Sequence, residues 1–223
     1  MKKKKKNKKK IILKILIIII ILGSLIFYFK NMKIKNIYVI GNNTLKDQEI
    51  IELAGINNYP NLFQISSRKI EKKIKLNPLI DSVKVKKTFL GKITINIKEY
   101  NLLLKNEIDN TIYLDNGQKI TNDINIIGLP TLTNDVDKDI LNNFLKKLNT
   151  INKDILSKIS EITYSPNEYD KDLFLFLMND GNYVYITTTR LDNINKYENV
   201  LLELEGKKGI IYLDSGNHFE ILE

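Results

Sequence analysis

Cysteine is absent from the 223 residues, which excludes disulfide scaffolds, thiolate zinc clusters and thiol nucleophiles. Histidine is almost absent: His218 stands alone, so metal and acid–base centres built on several imidazoles are excluded as well. Acid is missing from residues 1–35, which carry twelve lysines and no Asp or Glu. The formal charge of +9 therefore belongs to one end, because the rest of the chain sets 23 of the 35 basic residues against all 26 acids, a formal −3. A nucleic-acid-binding domain needs its positive charge on the folded part, so nucleic acid is not an expected partner.

What the N-terminal end does contain is a membrane-length apolar run. Residues Ile11 to Phe29, centred near Ile20, are interrupted only by Lys14, and at ~1.5 Å per residue they nearly cross a hydrocarbon core of ~30 Å. Fifteen Ile, Leu or Phe residues at roughly −0.3 to −0.6 kcal/mol each outweigh the ~3 kcal/mol of one central Lys. Lys14 lies near the end of the run, where it can snorkel to the headgroups. A secretory signal shares the basic start and apolar stretch, but no small-x-small cleavage site follows, and an uncleaved anchor over 11–29 is expected. Eight lysines precede the run within a tail at 1–10, and Lys30, Lys33 and Lys35 follow it. The excess predicts a cytoplasmic N-terminus and residues 30–223 outside the cell. The tail can also hold anionic lipid of the bilayer, or serve as a topology signal and nothing more.

Beyond the anchor the pattern is α+β and shifts near residue 100. IKNIYVI at 34–40 alternates like a strand and stops at Gly41-Asn42-Asn43. A helix is predicted from Thr44 to Ala54 and another over 66–76, capped by Ser66-Ser67 and stopped before Asn77-Pro78. Alternation over Ile80 to Lys87 and Lys92 to Glu99 predicts a hairpin. This β-α-α-β-β order fills a first module at 30–100.

Residues 101–223 read as a mixed, strand-rich domain with two helices. LLLKN and TIYLDNGQKI form strands around an Asp115-Asn116-Gly117 turn. Val136 to Leu148 is an amphipathic helix, ISEITYS a strand, and Asp172 to Met178 with Tyr183 to Thr189 a long hairpin. Leu191, Ile194, Tyr197, Leu201 and Leu204 then predict one helix, and Gly209 to Asp214 a last strand.

Taken in order, the basic tail, the single span, IYVIGNNTLKDQEII, NPLIDSVKVKK and KITINIKEY resemble the POTRA module of the FtsQ/DivIB cell-division family. ISEITYSP, LFLFLMNDGNYV, KYENVL and KKGIIYLDSGNHF resemble the β domain of its DivIB branch. That resemblance implies a single-pass cell-membrane protein of the division septum, with no catalysis and no cofactor. Its implied partners are FtsL-like and DivIC/FtsB-like bitopic coiled-coil proteins, and through them the septal peptidoglycan synthase complex. The runner-up classes are a membrane-anchored extracytoplasmic cell-wall enzyme and a POTRA-type docking protein of protein transport.

Residues that could carry chemistry fall away on inspection. Asp135-Val136-Asp137-Lys138-Asp139 begins like a calcium loop, but Ile140 and Lys146 stand where Gly and Glu are required. Asp214, Ser215 and His218 are the residue types of a hydrolytic triad, yet no G-x-S-x-G elbow accompanies them and all are ordinary turn formers. No catalytic and no metal residues are therefore expected. For partner binding, Lys208, Gly209, Ile210, Ile211, Tyr212 and Leu213 form a run apolar on both faces, expected at a sheet edge that can accept an added strand. Tyr197, Tyr183 and Tyr185 are the expected aromatic anchors, the alternative being that 208–213 is an internal core strand with no partner, since apolar runs also describe buried strands. The resemblance points to the same end of the β domain.

Overall fold

The computed structural model describes residues 3–122, 126–214 and 218–221. Lys2 of the basic tail and Ser215 of the triad-like group lie outside them. The chain divides into two compact units, 1–99 and 100–223.

The first unit opens with helix α1, Lys3–Asn31, within which Lys8–Asn31 is long and apolar enough to cross a membrane. The helix starts earlier than the apolar run because lysine is itself a good helix former, and hydropathy marks the membrane boundary, not the end of the hydrogen-bonded spiral. Strand β1 (Asn36–Ile40), helices α2 (Asp47–Ala54) and α3 (Ser67–Ile74), and strands β2 (Ile80–Lys87) and β3 (Lys92–Glu99) follow. The sheet order is β1-β3-β2, with β1 parallel and β2 antiparallel to β3. Ile93, Ile95 and Ile97 point to the buried side, where Ile50, Ala54, Ile70 and Ile74 of the two helices are also buried. Removing these apolar side chains from water at about 25 cal/mol per Å² is what holds so small a sheet together.

Helix α2 begins three residues later than the Thr44 start expected from its capping side chains. The carboxylate of Glu99, fifty-odd residues away in sequence, accepts the N–H groups of Asn43, Thr44 and Leu45 at 3.2, 2.7 and 3.1 Å. That tertiary contact satisfies the loop, and the Lys46 N–H donates instead to Glu49 at 2.8 Å, so the helix nucleates there.

In the second unit, β4 (Leu102–Asn106), β5 (Thr111–Leu114), β6 (Lys119–Thr121), β7 (Thr131–Leu132), β8 (Ile159–Tyr164), β9 (Leu173–Met178), β10 (Tyr183–Thr187), β11 (Gly209–Tyr212) and β12 (His218–Ile221) make one nine-stranded sheet. Its order is β12-β11-β10-β9-β8-β7-β4-β5-β6. Helix α4 (Lys138–Leu148), the single turn α5 (Lys153–Leu156) and helix α6 (Tyr197–Glu203) supply the second layer. One core row runs across the strands as Leu132, Ile162, Phe176, Val184 and Ile211, all buried. Phe144 of α4 stacks on Phe174 with ring centroids 4.0 Å apart and meets Phe176 edge-on at 6.1 Å. Asp137 stands at the N-cap of α4, so the acidic run there complements the helix start.

The expected single helix over 191–204 is two elements: Thr188–Lys196 is a 3-10 helix, and only Tyr197–Glu203 is α-helical. Thr188, Leu191, Ile194 and Tyr197 are buried at a strict spacing of three, which is the 3-10 period. The Asp and Asn side chains between them serve neighbours: Thr150 Oγ1 donates to Asp192, the Asn152 N–H to Asn195, and Asn193 to the Leu213 carbonyl. Each of these partners lies 20 or more positions away in the chain, so the hold on this segment is tertiary.

Candidate partner interface

The last strands place the expected binding residues, and they do not all fall where the pattern put them. Gly209–Tyr212 is not an edge strand: β11 pairs in parallel with β10 on one side and antiparallel with β12 on the other. The unanticipated strand β12 is the outermost strand. Four apolar residues in a row suit an edge or an interior strand equally, and the ten residues after them were too short and polar to announce another strand.

Gly209 is buried, and a Cβ built there would stand 1.8 Å from the Glu220 carbonyl, so glycine is what lets β12 come alongside. Tyr197, expected as a surface anchor, is 1% exposed. Its hydroxyl donates to the Asp180 carboxylate at 2.9–3.0 Å and accepts from the Asn182 amide at 3.0 Å. The Asn182 Oδ1 in turn accepts the Gly209 N–H at 3.0 Å. Burial, reinforced by the Asp180 carboxylate, pushes the Tyr197 phenol well above its ordinary pKa. This latch joins the β9–β10 turn, α6 and the start of β11. Asn182 was missed by sequence reasoning; its only signal was a polar residue directly after the Asp180-Gly181 turn. Ile211 and Leu213 are buried as well, and Lys208 is exposed just ahead of β11.

The remaining residues do converge. Tyr183 and Tyr185 of β10 sit opposite Ile210 and Tyr212 of β11, on the sheet face away from the core row, and none of the four belongs to the core cluster. The same face carries Leu177 and Leu175 of β9 opposite Tyr183 and Tyr185, and His218 of β12 opposite Tyr212. Tyr185 and Tyr212 stack with centroids 5.4 Å apart and planes within 15°. Tyr212 and His218 stack at 4.2 Å and 9°. The Tyr212 hydroxyl donates to Glu220 at 3.2 Å, and partial burial together with that carboxylate raises the phenol above its usual value. The stacks hold the three rings in one geometry, with their planes within 15° of one another from ring to ring. On the opposite side of β11 and β12 a cleft of about 310 Å³ is lined by Lys196, Val200, Leu204, Ile211 and Phe219. Among the described residues no group of three or more His, Cys, Asp or Glu is placed to hold a metal ion.

One helix long and apolar enough to cross a membrane, a small β-α-α-β-β module and a sheet with one aromatic face away from its core are the described parts of a membrane-anchored α+β protein. Residues 32–100 match the family model of the FtsQ-type POTRA domain. Over 197 residues the chain is 32% identical to the cell division protein DivIB of Bacillus subtilis (strain 168), covering 84% of this chain and 74% of that one. It is 31% identical over 204 residues to DivIB of Listeria monocytogenes, covering 88% and 76%. The major extracytoplasmic domain of DivIB from Geobacillus stearothermophilus, a solved structure, is similar at 22% identity and a TM-score of 0.41, over 48% of this chain and 96% of that one. The chain belongs to the DivIB family of cell division proteins, and its role is in cell division.

Proposed function

We propose that the chain is a bitopic scaffold of the division complex, with its N-terminus in the cytoplasm and both folded units outside, concentrated at the septum. In this reading it binds small FtsL-like and DivIC-like coiled-coil proteins and so helps to control septal peptidoglycan synthesis. It performs no catalysis. The eight lysines before the span against three after it support the orientation. In this reading the two units are separate modules, and the division of the chain between Glu99 and Tyr100 supports it.

The observation that supports the binding site is the stacked stripe Tyr185, Tyr212 and His218, which runs from β10 across β11 to the outermost strand β12. An incoming strand gains main-chain hydrogen bonds from the outer edge of β12, while its side chains reach the stripe on one face. Aromatic residues in fixed positions are the usual carriers of interface energy.

Photo-crosslinkers placed at Tyr183, Tyr212 and Ile221, with Ile127 as an exposed control, test the site in dividing cells. Capture of the small bitopic proteins from the first three positions and not from Ile127 is the expected result. Capture from Tyr38 of the first unit instead would move the site to the POTRA sheet. Depletion separates the scaffold from an enzyme: filaments with intact lateral wall support the first, general wall defects without septal failure the second.

A further inference from the structure

The hairpin joining β2 and β3 ends in two large apolar side chains that are mostly open to solvent: Phe89 is 76% and Leu90 81% exposed. The turn that presents them is tightly built. The Gly91 N–H donates to the Thr88 carbonyl and the Thr88 N–H to the Lys92 carbonyl, while Gly91 takes φ +85°, the geometry of a type I turn closed by a bulge. Phe89 and Leu90 occupy its two central positions, and a soluble domain gains nothing by exposing them there.

The tip lies against the root of the membrane anchor. The Lys35 N–H donates to the Gly91 carbonyl at 2.8 Å, and a Cβ on Gly91 would stand 3.0 Å from the Lys33 carbonyl. Lys33 is two residues beyond Asn31, the last residue of α1, and two residues span at most ~7 Å. The polar layer on each side of a ~30 Å hydrocarbon core is ~5–8 Å deep, so the tip is within reach of the layer into which α1 opens. A second contact fixes the same end: Phe63, half-exposed, meets Phe29 of α1 edge-on at 5.2 Å, and the Asn61 amide donates to the Lys30 carbonyl.

Charge is distributed to match. Residues 32–46 and 82–98 contain no Asp or Glu, and Lys30, Lys33, Lys35, Lys86 and Lys92 surround the tip in the chain, all exposed. Asp81 and Glu99 sit at the opposite ends of β2 and β3, ~20–25 Å away at ~3.4 Å per residue.

We propose that the β2–β3 hairpin is a second membrane contact, with Phe89 and Leu90 seated in the headgroup–acyl boundary of the leaflet from which α1 emerges and the flanking lysines on anionic headgroups. The occupant is the bilayer because the tip is continuous with a membrane anchor and the chain segments flanking it carry lysine and no acid, Glu71 of α3 reaching β2 only at Val85. The contact would fix the first unit at a set height and rotation on the membrane. This goes beyond division-complex scaffolding and needs only that α1 spans a bilayer.

The chain has no tryptophan, so single substitutions report local depth without background. Full-length Leu90→Trp, Leu25→Trp and Leu76→Trp are reconstituted into vesicles of phosphatidylcholine with phosphatidylglycerol, with and without bromine on the acyl chains. Leu25 lies within the anchor, and Leu76 is 84% exposed just before the turn that leads into Asp81. The expected result is strong quenching and a blue shift for Leu25→Trp, intermediate quenching and a blue shift for Leu90→Trp, and neither for Leu76→Trp. Leu90→Trp emission as red, and as open to aqueous acrylamide, as that of Leu76→Trp overturns the proposal; that outcome means the tip faces water or serves a protein. An unquenched Leu25→Trp would instead refute the anchor reading, so the two failures are distinguishable. Repeating the Leu90→Trp measurement in pure phosphatidylcholine should reduce the blue shift, and an unchanged shift overturns the headgroup assignment.

Discussion

Replacing Asn182 by Ala tests whether the latch beneath the open face holds β11 in place. Asn182 is 2% exposed, and its side chain donates to the Tyr197 hydroxyl at 3.0 Å and to Asp180 at 3.1 Å while accepting the Gly209 N–H at 3.0 Å. The three bonds are not equal. Asp180 is exposed and can take water, and the Tyr197 hydroxyl keeps Asp180 as acceptor, so these two cost little to lose. The Gly209 N–H is buried and would lose its side-chain acceptor, at about 1–3 kcal/mol. With the lesser losses the total is about 2–4 kcal/mol. Tyr197→Phe removes only the hydroxyl, orphans no buried backbone group and should cost about 1 kcal/mol. Hydrogen exchange of Gly209–Tyr212 in the full chain in detergent reads the difference. A loss of about 2 kcal/mol speeds opening roughly 30-fold, whereas Tyr197→Phe should change it by less than about tenfold. Equal effects of the two variants, or no effect of Asn182→Ala, would refute the reasoning.

The Tyr197 phenol has a raised pKa in the folded chain, so the unfolded chain ionises first. The stability it contributes is full below about pH 10 and is lost as pH rises toward the folded value. Thermal midpoints measured upward from pH 8 should fall less steeply in Tyr197→Phe than in the parent. Gly91→Ala places a side chain at φ +85° against the Lys33 carbonyl and should destabilise the first unit by about 1–2 kcal/mol or more, read as a lower denaturant midpoint. Ile95→Asp puts a charge at a fully buried position facing two helices and should unfold that unit at a cost of several kcal/mol, visible as loss of its amide dispersion while second-unit signals persist.

Local regularities made the anchor and the first module legible. Nineteen residues without an acid and with one lysine are long and apolar enough to cross a membrane, and the alternation in KITINIKE assigns Ile93, Ile95 and Ile97 to one face whatever lies around them. The spacing of three from Thr188 through Leu191 and Ile194 to Tyr197 was visible too, but five apolar residues at mixed spacings of three and four also describe an α-helix. Which way that ambiguity resolves depends on groups distant in the chain: the Thr150 hydroxyl and Asn152 N–H that donate to Asp192 and Asn195, and the Leu213 carbonyl that accepts from Asn193. The candidate interface shows the same division. Tyr183, Tyr185, Ile210 and Tyr212 were identifiable as a group of large apolar residues near the end of the chain, and their placement on one open face rests on a parallel register between β10 and β11. The sequence by itself determined where the chain is apolar, where it is charged and how each strand alternates, because those properties are local. Only the tertiary structure decided that Tyr197 lies inside, that β12 is the edge and that Phe89 and Leu90 stand beside the anchor, since each depends on which distant backbone groups pair.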